Sequence, residues 1–409
     1  MKKADKKAAV RFIFITLLLD IIGWGIILPV VPKLIGELIH SDISKAATYG
    51  GWLGFAYAFT QFVFSPIVGN LSDKYGRRPI LLISLFGFSI DYILLALAPS
   101  IGWLFVGRVI AGLTGASIST ASAYIADIST DENRTKNFGL IGVAFGSGFI
   151  IGPVLGGLLG YYGVRVPFYV AAVLCLLNFL YGYFMLPESL DKSKRRPFEW
   201  ERANPIGSLR FLFKHPKISN LVFALVFVYI GLHAVQSNWH FFTMYTFNWT
   251  ERLVGISLGI FGLCIGLAQG VLIRWSVPKL GEQKSIYLGL LFYALGLLLF
   301  AFANEGWMMF VLLIPYSLGG ICGPSLQSLI SKSILPDQQG ELQGALTSLV
   351  SVTSIIGPLI MTNLFYYFTH ESAPFEFSGA PFLLAAILMF ISAVFIYYGF
   401  KKHKNEMFI

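Results

Sequence analysis

The sequence has few charged residues and few cysteines. Asp, Glu, Lys and Arg make up only 12% of its 409 residues, whereas a soluble protein of this size has about 25%. The three cysteines all lie in apolar segments, which indicates small buried side chains and no disulfide framework. The sequence contains no nucleotide-binding glycine loop, metal-ligand cluster or hydrolytic triad. We therefore expect neither an enzyme nor a protein with a resident metal or cofactor.

The residues that are abundant are apolar. Hydrophobic residues make up 56% of the chain and the mean hydropathy is +0.71. Apolar stretches of about 20 residues recur along the whole length, as in helices that cross a bilayer. The basic N-terminus precedes an apolar run that is too long for a signal peptide, so we predict a retained first helix. The pattern predicts an all-α membrane protein, which we expect to be a monomer surrounded by lipid.

The apolar stretches predict twelve membrane spans, which are numbered here in chain order. They lie near 9–36, 47–69, 79–99, 101–126, 136–161, 166–187, 217–246, 253–276, 284–303, 306–330, 338–368 and 378–400. The predicted layout is an N-terminal six-helix half at 1–187, a cytoplasmic central loop at 188–216 and a C-terminal six-helix half at 217–409. Two such halves are expected for repeats related by an axis along the membrane normal.

The distribution of basic residues predicts the orientation. Twelve spans place both termini on the same side of the membrane. With both termini in the cytoplasm, 25 of the 30 Lys and Arg residues lie in cytoplasmic segments, as the positive-inside rule requires. The net charge of +9 is thus explained by short loops, and we expect no nucleic-acid partner.

A short charged segment joins spans 2 and 3 and reads Gly69-Asn70-Leu71-Ser72-Asp73-Lys74-Tyr75-Gly76-Arg77-Arg78-Pro79. We predict a tight turn in which Gly69 lets two helix ends approach and Gly76 takes a backbone conformation barred to other residues. Asp73 lies four residues before Arg77 and is placed to pair with it. A plain basic loop that follows the positive-inside rule is the alternative interpretation.

Ionisable residues inside spans are costly and are candidates for function. Asp20 lies in span 1, Asp91 in span 3, Arg108 in span 4 and Asp127 at the inner end of span 4. Asp20 lies about ten residues into span 1 from its cytoplasmic end. At a rise of 1.5 Å per residue, this is a depth of roughly 15 Å. Such a carboxylate is suited to bind and release a proton, with Arg108 nearby to tune it. The alternative is a static buried Asp–Arg pair that fixes helix packing.

Span 7 has a polar stripe. Its members, spaced as one helical face, are His233, Gln236, Ser237 and His240. In lipid such a face must point to protein or to a water-filled cavity, and neighbouring aromatic residues would suit a planar organic ligand. Interhelical hydrogen bonding is an equally good explanation. Weaker candidates for the substrate cavity are Gln61, Gln327 and Gln343.

Several of these motifs together resemble a known family. The segment at 69–79 is similar to the signature of the major facilitator superfamily in the loop after helix 2. Span 1, around Asp20, and the Gly107-Arg108 pair of span 4 resemble the twelve-helix drug/proton antiporters. Span 5 resembles their antiporter motif, a marker of export, through Gly148, Gly152, Pro153, Gly156 and Gly157. As small residues they also allow close helix packing.

The family that the chain most resembles is that of the tetracycline efflux antiporters. The resemblance implies that Asp73, Arg77 and Asp127 form an inner-face charge cluster that locks one conformation. The candidate gating residues of this region are Gly69, Asp73, Gly76, Arg77, Arg78 and Asp127. The resemblance also implies that Asp20, Asp91 and Arg108 serve proton coupling. Two polar positions of the family are absent here, since Tyr293 and Ile265 occupy the places of an Asp in span 9 and a His in span 8. Coupling is therefore expected to depend on the N-terminal half.

Three functions remain open on the sequence. The first is a proton-coupled exporter of small amphipathic or aromatic compounds in a bacterial cytoplasmic membrane, with the proton as coupling ion. The second is a transporter of a non-drug metabolite or lipid. The third is a non-transporting receptor on the same fold, against which the intact Asp20 and the intact segment at 69–79 argue.

Overall fold

The structure is a computed structural model that describes residues 3–115, 117–200, 207, 212, 218–335 and 338–406. All regular secondary structure in these ranges is helical. Most of the predicted central loop beyond Trp200 lies outside the described residues. The chain divides into two compact units, the first comprising 1–40, 56–205 and 250–262 and the second comprising 41–55, 206–249 and 263–409.

The long helices follow the apolar stretches. Their bounds are Lys3–Ile27, Val31–Ile39, Ile43–Tyr75, Arg77–Leu97, Ile101–Thr114, Ser117–Ile128, Asp131–Gly160, Val166–Met185, Ser219–Phe247, Glu251–Leu267, Ile273–Ala301, Gly306–Leu318, Cys322–Lys332, Gln339–Thr369 and Ala380–Glu406. A π-helical turn at Ala268–Leu272 and a 3-10 turn at Gly319–Ile321 join neighbouring helices.

Eleven helical stretches among the described residues are long and apolar enough to cross a membrane. One of them, Glu251–Ala301, is 51 residues long and contains both predicted spans 8 and 9. Gly281 interrupts it with φ 79° and ψ 163°, a non-helical conformation. The eleven stretches therefore contain the twelve predicted spans, with the boundary between spans 8 and 9 at Gly281.

Two predicted boundaries need correction. Span 1 is not one helix to residue 36, because the helix ends at Ile27 and a second helix begins at Val31; Pro29 and Pro32 remove backbone donors at this break. Span 2 does not end at Gly69, since its helix continues to Tyr75. The predicted turn after span 2 is therefore a single residue, Gly76.

Each unit has its own core. In the first unit, fully buried Phe12, Leu17 and Tyr124 belong to a cluster that joins spans 1 and 4. In the second unit, the buried ring of Trp239 lies 5.2 Å from that of Phe300. Large aromatic side chains thus fix span 7 against span 9, and cross-span packing of this kind holds membrane helices together. The cysteines Cys175, Cys264 and Cys322 are free, as predicted.

Candidate functional site

The turn between spans 2 and 3 carries a network of charges, called here the first charge cluster and formed by Asp73, Arg77 and Asp127. The Arg77 guanidinium donates to Asp73 at 2.5 Å and to Asp127, at the end of span 4, at 3.2 Å. It also donates to the Ser72 hydroxyl at 2.6 Å. The structure therefore brings together three of the predicted gating residues.

The two glycines of this segment differ in role. Gly76 has φ 110°, a left-handed conformation that strongly favours glycine. At Gly69 a side chain would meet nothing within 4 Å among the described residues. The prediction that Gly69 allows two helix ends to approach is therefore not met in this structure.

Sequence reasoning missed Glu188, which follows span 6. Its carboxylate accepts hydrogen bonds from the backbone N–H groups of Arg77 at 2.9 Å and Arg78 at 3.3 Å. These N–H groups are the first of the helix of span 3. The residue before this helix is Gly76, which has no side chain to cap them. A carboxylate at a helix N-terminus satisfies free donors and complements the helix dipole. Glu188 thus anchors the segment after span 6 to the first charge cluster.

Two further contacts extend this anchor. The Ser189 hydroxyl donates to Asp127 at 3.0 Å, and the Arg78 guanidinium donates to the Tyr183 carbonyl at 2.6 Å. Arg78, predicted as a gating residue, therefore contacts span 6. The sequence offers one signal for Glu188, its position. It is an acidic residue that directly follows span 6, at the start of a loop rich in basic residues.

Asp91 and Arg108 form an ion pair between spans 3 and 4. Asp91 is fully buried, and the second carboxylate oxygen has no hydrogen-bond partner in the described part of the chain. The residue before the arginine, Gly107, makes room for it, because a Cβ there would lie 2.7 Å from Asp91 Oδ1. The Gly-Arg pair of span 4 is therefore shaped to hold this carboxylate.

The ion pair is connected to span 2. The Arg108 guanidinium lies 6.0 Å from the centre of the Tyr57 ring, within range of a cation–π contact. The Gln61 amide donates to the Tyr57 hydroxyl at 3.0 Å and to the Gly115 carbonyl of span 4 at 2.8 Å. Gln61, predicted as a cavity residue, is thus part of a network that joins spans 2, 3 and 4.

Asp20 differs from Asp91 in having no basic partner among the described residues. Both of its carboxylate oxygens are buried, and neither makes a hydrogen bond of normal geometry to the described residues. The Ser117 side chain of span 4 is the polar neighbour placed against it. An ionised carboxylate without hydrogen bonds is costly to bury. Asp20 is therefore a buried ionisable residue with few polar neighbours, and such residues in spans are candidates for function.

The glycines of span 5 form a seam against span 1. A Cβ at Gly148 would lie 2.7 Å from Ile21, and one at Gly152 would lie 2.9 Å from the Gly25 Cα. At Gly156 a Cβ would clash with the Ile26 carbonyl. The antiporter motif therefore has a direct packing role, since only glycine permits this backbone approach.

The seam continues onto the first turns of span 8. A Cβ at Gly157 would lie 2.6 Å from the Glu251 carbonyl, and Gly255 packs against the carbonyl of Pro153. At the end of this seam the Lys33 ammonium lies 2.6 Å from the Glu251 carboxylate. Sequence reasoning did not find this ion pair, because its partners are far apart in the chain and nothing in the sequence links the two helix starts on which they lie.

The polar stripe of span 7 is not uniform. His233 and His240 are buried, whereas Gln236 is exposed and Ser237 is intermediate. The His233 ring packs on Gly357 of span 11, where a Cβ would lie 2.7 Å from the ring carbon Cγ. This contact agrees with the packing interpretation for His233. Gln236 is the member of the stripe that is open to a ligand.

The two remaining cavity candidates of the second unit make different contacts. The Gln327 amide donates to the Tyr229 hydroxyl at 2.5 Å, so it joins spans 10 and 7. Gln343, near the start of span 11, is exposed, and its backbone carbonyl accepts from Thr347. No cluster of three metal-ligating side chains is found among the described residues.

A bundle of apolar helices with buried charges on spans 1, 3 and 4 defines a polytopic membrane protein of the secondary-transporter class. The chain belongs to the major facilitator superfamily, whose family model matches residues 13–246 and 221–407. The chain is thus a multi-pass membrane transporter and not an enzyme. This confirms the predicted fold class, while the orientation of the termini stays a prediction.

Comparison with known proteins shows which members of this superfamily the chain is similar to. The class C tetracycline resistance protein of Escherichia coli is 42% identical over 354 residues, which cover 86% of this chain and 88% of that protein. The class H tetracycline resistance protein of Pasteurella multocida is 35% identical, covering 97% of both. Among solved structures, a bacterial homologue of the human lysosomal transporter Spinster has a TM-score of 0.80 at 15% identity and covers 98% of both chains. The predicted family resemblance is therefore confirmed.

Proposed function

We propose that this protein is a proton-coupled exporter of small amphipathic or aromatic compounds in a bacterial cytoplasmic membrane. The observation that carries the proposal is the buried carboxyl of Asp20, which has no basic partner in the described part of the chain. An ionisable group at this place in a span is a candidate for taking up and releasing a proton. Asp91 and Arg108 form an ion pair on neighbouring spans. The charges of this pair adjust the electrostatic surroundings of Asp20. No nucleotide site was found in the sequence, so the energy comes from the proton gradient.

The relatives named for tetracycline resistance support export of a drug-like compound. The glycine seam of span 5 supports alternating access, because the close contact of Gly152 with Gly25 lets two spans move as one body. Asp20, Asp91 and Arg108 serve proton coupling, and Gln236 is the first candidate for substrate contact. The protein works as a monomer with the proton as its only coupling ion.

Reconstituted vesicles test the proposal. Purified protein in proteoliposomes should release protons from the lumen when a drug is added outside, with tetracycline tested first and a panel of planar amphipathic drugs after it. A resistance screen in an efflux-deficient host should give the same ranking of compounds. Drug binding without flux would identify a receptor and overturn the proposal.

A second candidate is a transporter whose substrate is a non-drug metabolite or lipid. Tyr293 favours it, since this buried residue replaces the acid expected by family resemblance in span 9. Its ring packs 5.1 Å from that of Tyr316, so the position holds aromatic packing in place of a charge. Proton-coupled flux of a metabolite or lipid, with no response to any drug of the panel, would favour this candidate.

A further inference from the structure

An apolar groove lies between spans 11 and 12, at the end where residues 370–379 join them. Its volume is about 390 Å³, and all of the described residues that line it have apolar side chains. Four of them are phenylalanines, namely Phe302 after span 9, Phe368 in span 11, and Phe375 and Phe377 in the joining segment. A pocket for a small organic ligand usually has a few polar groups that orient the ligand. The described lining offers none, which favours a hydrocarbon chain as the occupant.

The walls of the groove are fixed by contacts of their own. The backbone N–H of Phe377 donates to the Phe368 carbonyl at 3.0 Å, and the Phe377 ring lies 5.6 Å from that of Phe302. Gly379 packs against the Ala301 carbonyl so closely that a Cβ would overlap it. The segment 370–379 is therefore held to the ends of spans 9 and 11, and the groove is largely preformed, as most ligand sites are.

The open side of the groove continues onto an exposed apolar face of span 12. Ile387 lines the groove and is exposed, and Phe390 and Val394 are exposed on the turns that follow. Their spacing places all three on one face of the helix. In a membrane span, exposed apolar side chains contact the acyl chains of the bilayer. An acyl chain can therefore pass from the bilayer into the groove without crossing a polar surface.

The rim of the groove is acidic. The segment 370–379 contains Glu371 and Glu376 and has no Lys or Arg, and both acids are exposed. The Glu376 carboxylate accepts a hydrogen bond from the Tyr245 hydroxyl of span 7 at 2.9 Å, which fixes its place. Two carboxylates attract an ammonium group and repel a headgroup whose only charge is a phosphate. The rim therefore favours a lipid headgroup that ends in an ammonium.

We propose that this groove binds one phospholipid with an ammonium headgroup. One acyl chain lies against Phe368, Leu384 and Ile387, and the headgroup lies at Glu371 and Glu376. The lipid comes from the surrounding bilayer, since the groove opens toward it and the rim complements an ammonium. In the predicted orientation of the chain this is the outer leaflet. The proposal does not depend on the proposed export, because lipid binding needs neither a substrate nor a proton gradient.

The test is native mass spectrometry of the full-length protein in detergent, titrated separately with phosphatidylethanolamine and with phosphatidylglycerol of the same acyl chains. Wild type should retain one ethanolamine lipid at a concentration about two- to fivefold lower than the glycerol lipid requires, the range that an exposed ion pair supports. Glu371→Gln should reduce this preference and should not weaken binding of the glycerol lipid. Leu384→Trp fills the groove and should raise the concentration needed for both lipids by about tenfold, since overpacking expels the chain.

Val394→Trp is the matched control for the groove, because it adds the same indole to the same face of span 12, about two helical turns beyond Ile387 and outside the lining. Glu37→Gln is the control for charge, since it removes another exposed acid on the same predicted side of the membrane. Ile387→Trp, at an exposed site of the lining, keeps the test valid if Leu384→Trp fails to fold.

Three results would overturn the proposal. The first is equal lipid retention by Ile387→Trp and Val394→Trp. The second is a wild-type protein that binds the two headgroups equally or prefers the glycerol lipid. The third is displacement of the lipid by the drugs of the panel, which would identify the groove as a drug site. Because the measurement uses no flux, failure of the proposed export would leave it unaffected.

Discussion

Gly107 shows how one residue without a side chain shapes a buried ion pair. It precedes Arg108 in span 4, and the Asp91 carboxylate occupies the space that its Cβ would fill. Because Asp91 is buried, loss of its partner Arg108 would leave an uncompensated charge inside the protein. The absence of a side chain at Gly107 is therefore required for the Asp91 carboxylate to take its observed place.

Gly107→Ala should lower the rate of transport. The new methyl group overlaps the Asp91 carboxylate, and overpacking of this kind costs about 1–3 kcal/mol. Initial rates of drug flux in proteoliposomes measure the effect, with protein amount held equal. Gly102→Ala is the matched control in the same span, since a Cβ there meets only the Ser100 hydroxyl at 3.9 Å. Equal rates in the two variants would contradict the role assigned to Gly107.

At the scale of elements, the spans themselves were predictable from the sequence and their contacts were not. Runs of apolar residues predict spans because a bilayer sets their length. All three members of the first charge cluster were predicted, Asp73 and Arg77 from their spacing of one helical turn and Asp127 from the family resemblance. Glu188 and the ion pair of Lys33 with Glu251 were missed, because hydropathy does not show which distant segments of the chain contact each other.

The seam of spans 1 and 5 predicts a stability effect. Gly156→Ala should destabilise the protein by about 1–3 kcal/mol, because the methyl group would overlap the Ile26 carbonyl and overpacking forces the backbone apart. Gly146→Ala is the control in the same helix, since nothing lies within 4 Å of a Cβ there. Thermal unfolding in detergent measures both. A Gly156→Ala protein as stable as Gly146→Ala would show that the seam is not tightly packed.

We predict different effects for substitutions at two polar residues of span 7. His233→Ala should lower thermal stability, because the ring packs on Gly357 and its loss leaves a cavity. Gln236→Ala should leave stability within about 0.5 kcal/mol, as for most exposed positions, and should alter the ranking of transported compounds. Melting temperature and a drug panel separate the two effects. The reverse assignment, with His233 setting preference alone, would contradict this account of the stripe.

At the scale of the whole molecule, the first charge cluster should bias the conformational equilibrium. Asp73→Asn removes one carboxylate from Arg77 and should shift the population away from the outward-open state by about 1–3 kcal/mol, the usual size of a conformational coupling. Alkylation of a cysteine introduced by Gln343→Cys reports the shift. Lys74→Gln, which changes the adjacent charge and leaves the cluster intact, is the control. Identical alkylation and identical transport in Asp73→Asn and wild type would remove the cluster from the gating mechanism.

The central claim is that Asp20 carries the proton that drives export. Asparagine has the volume of aspartate but cannot titrate, so Asp20→Asn should abolish uphill transport while leaving downhill exchange of substrate. Asp20→Glu, which keeps a titratable group, should retain part of the uphill activity.

The most direct measurement is drug accumulation in everted membrane vesicles energised by a proton gradient, followed over a range of pH for wild type and both variants. The account predicts accumulation by wild type, reduced accumulation by Asp20→Glu and none by Asp20→Asn. Sustained accumulation by Asp20→Asn with the pH dependence of wild type would contradict it and would move the proton site to Asp91 or to the histidines of span 7.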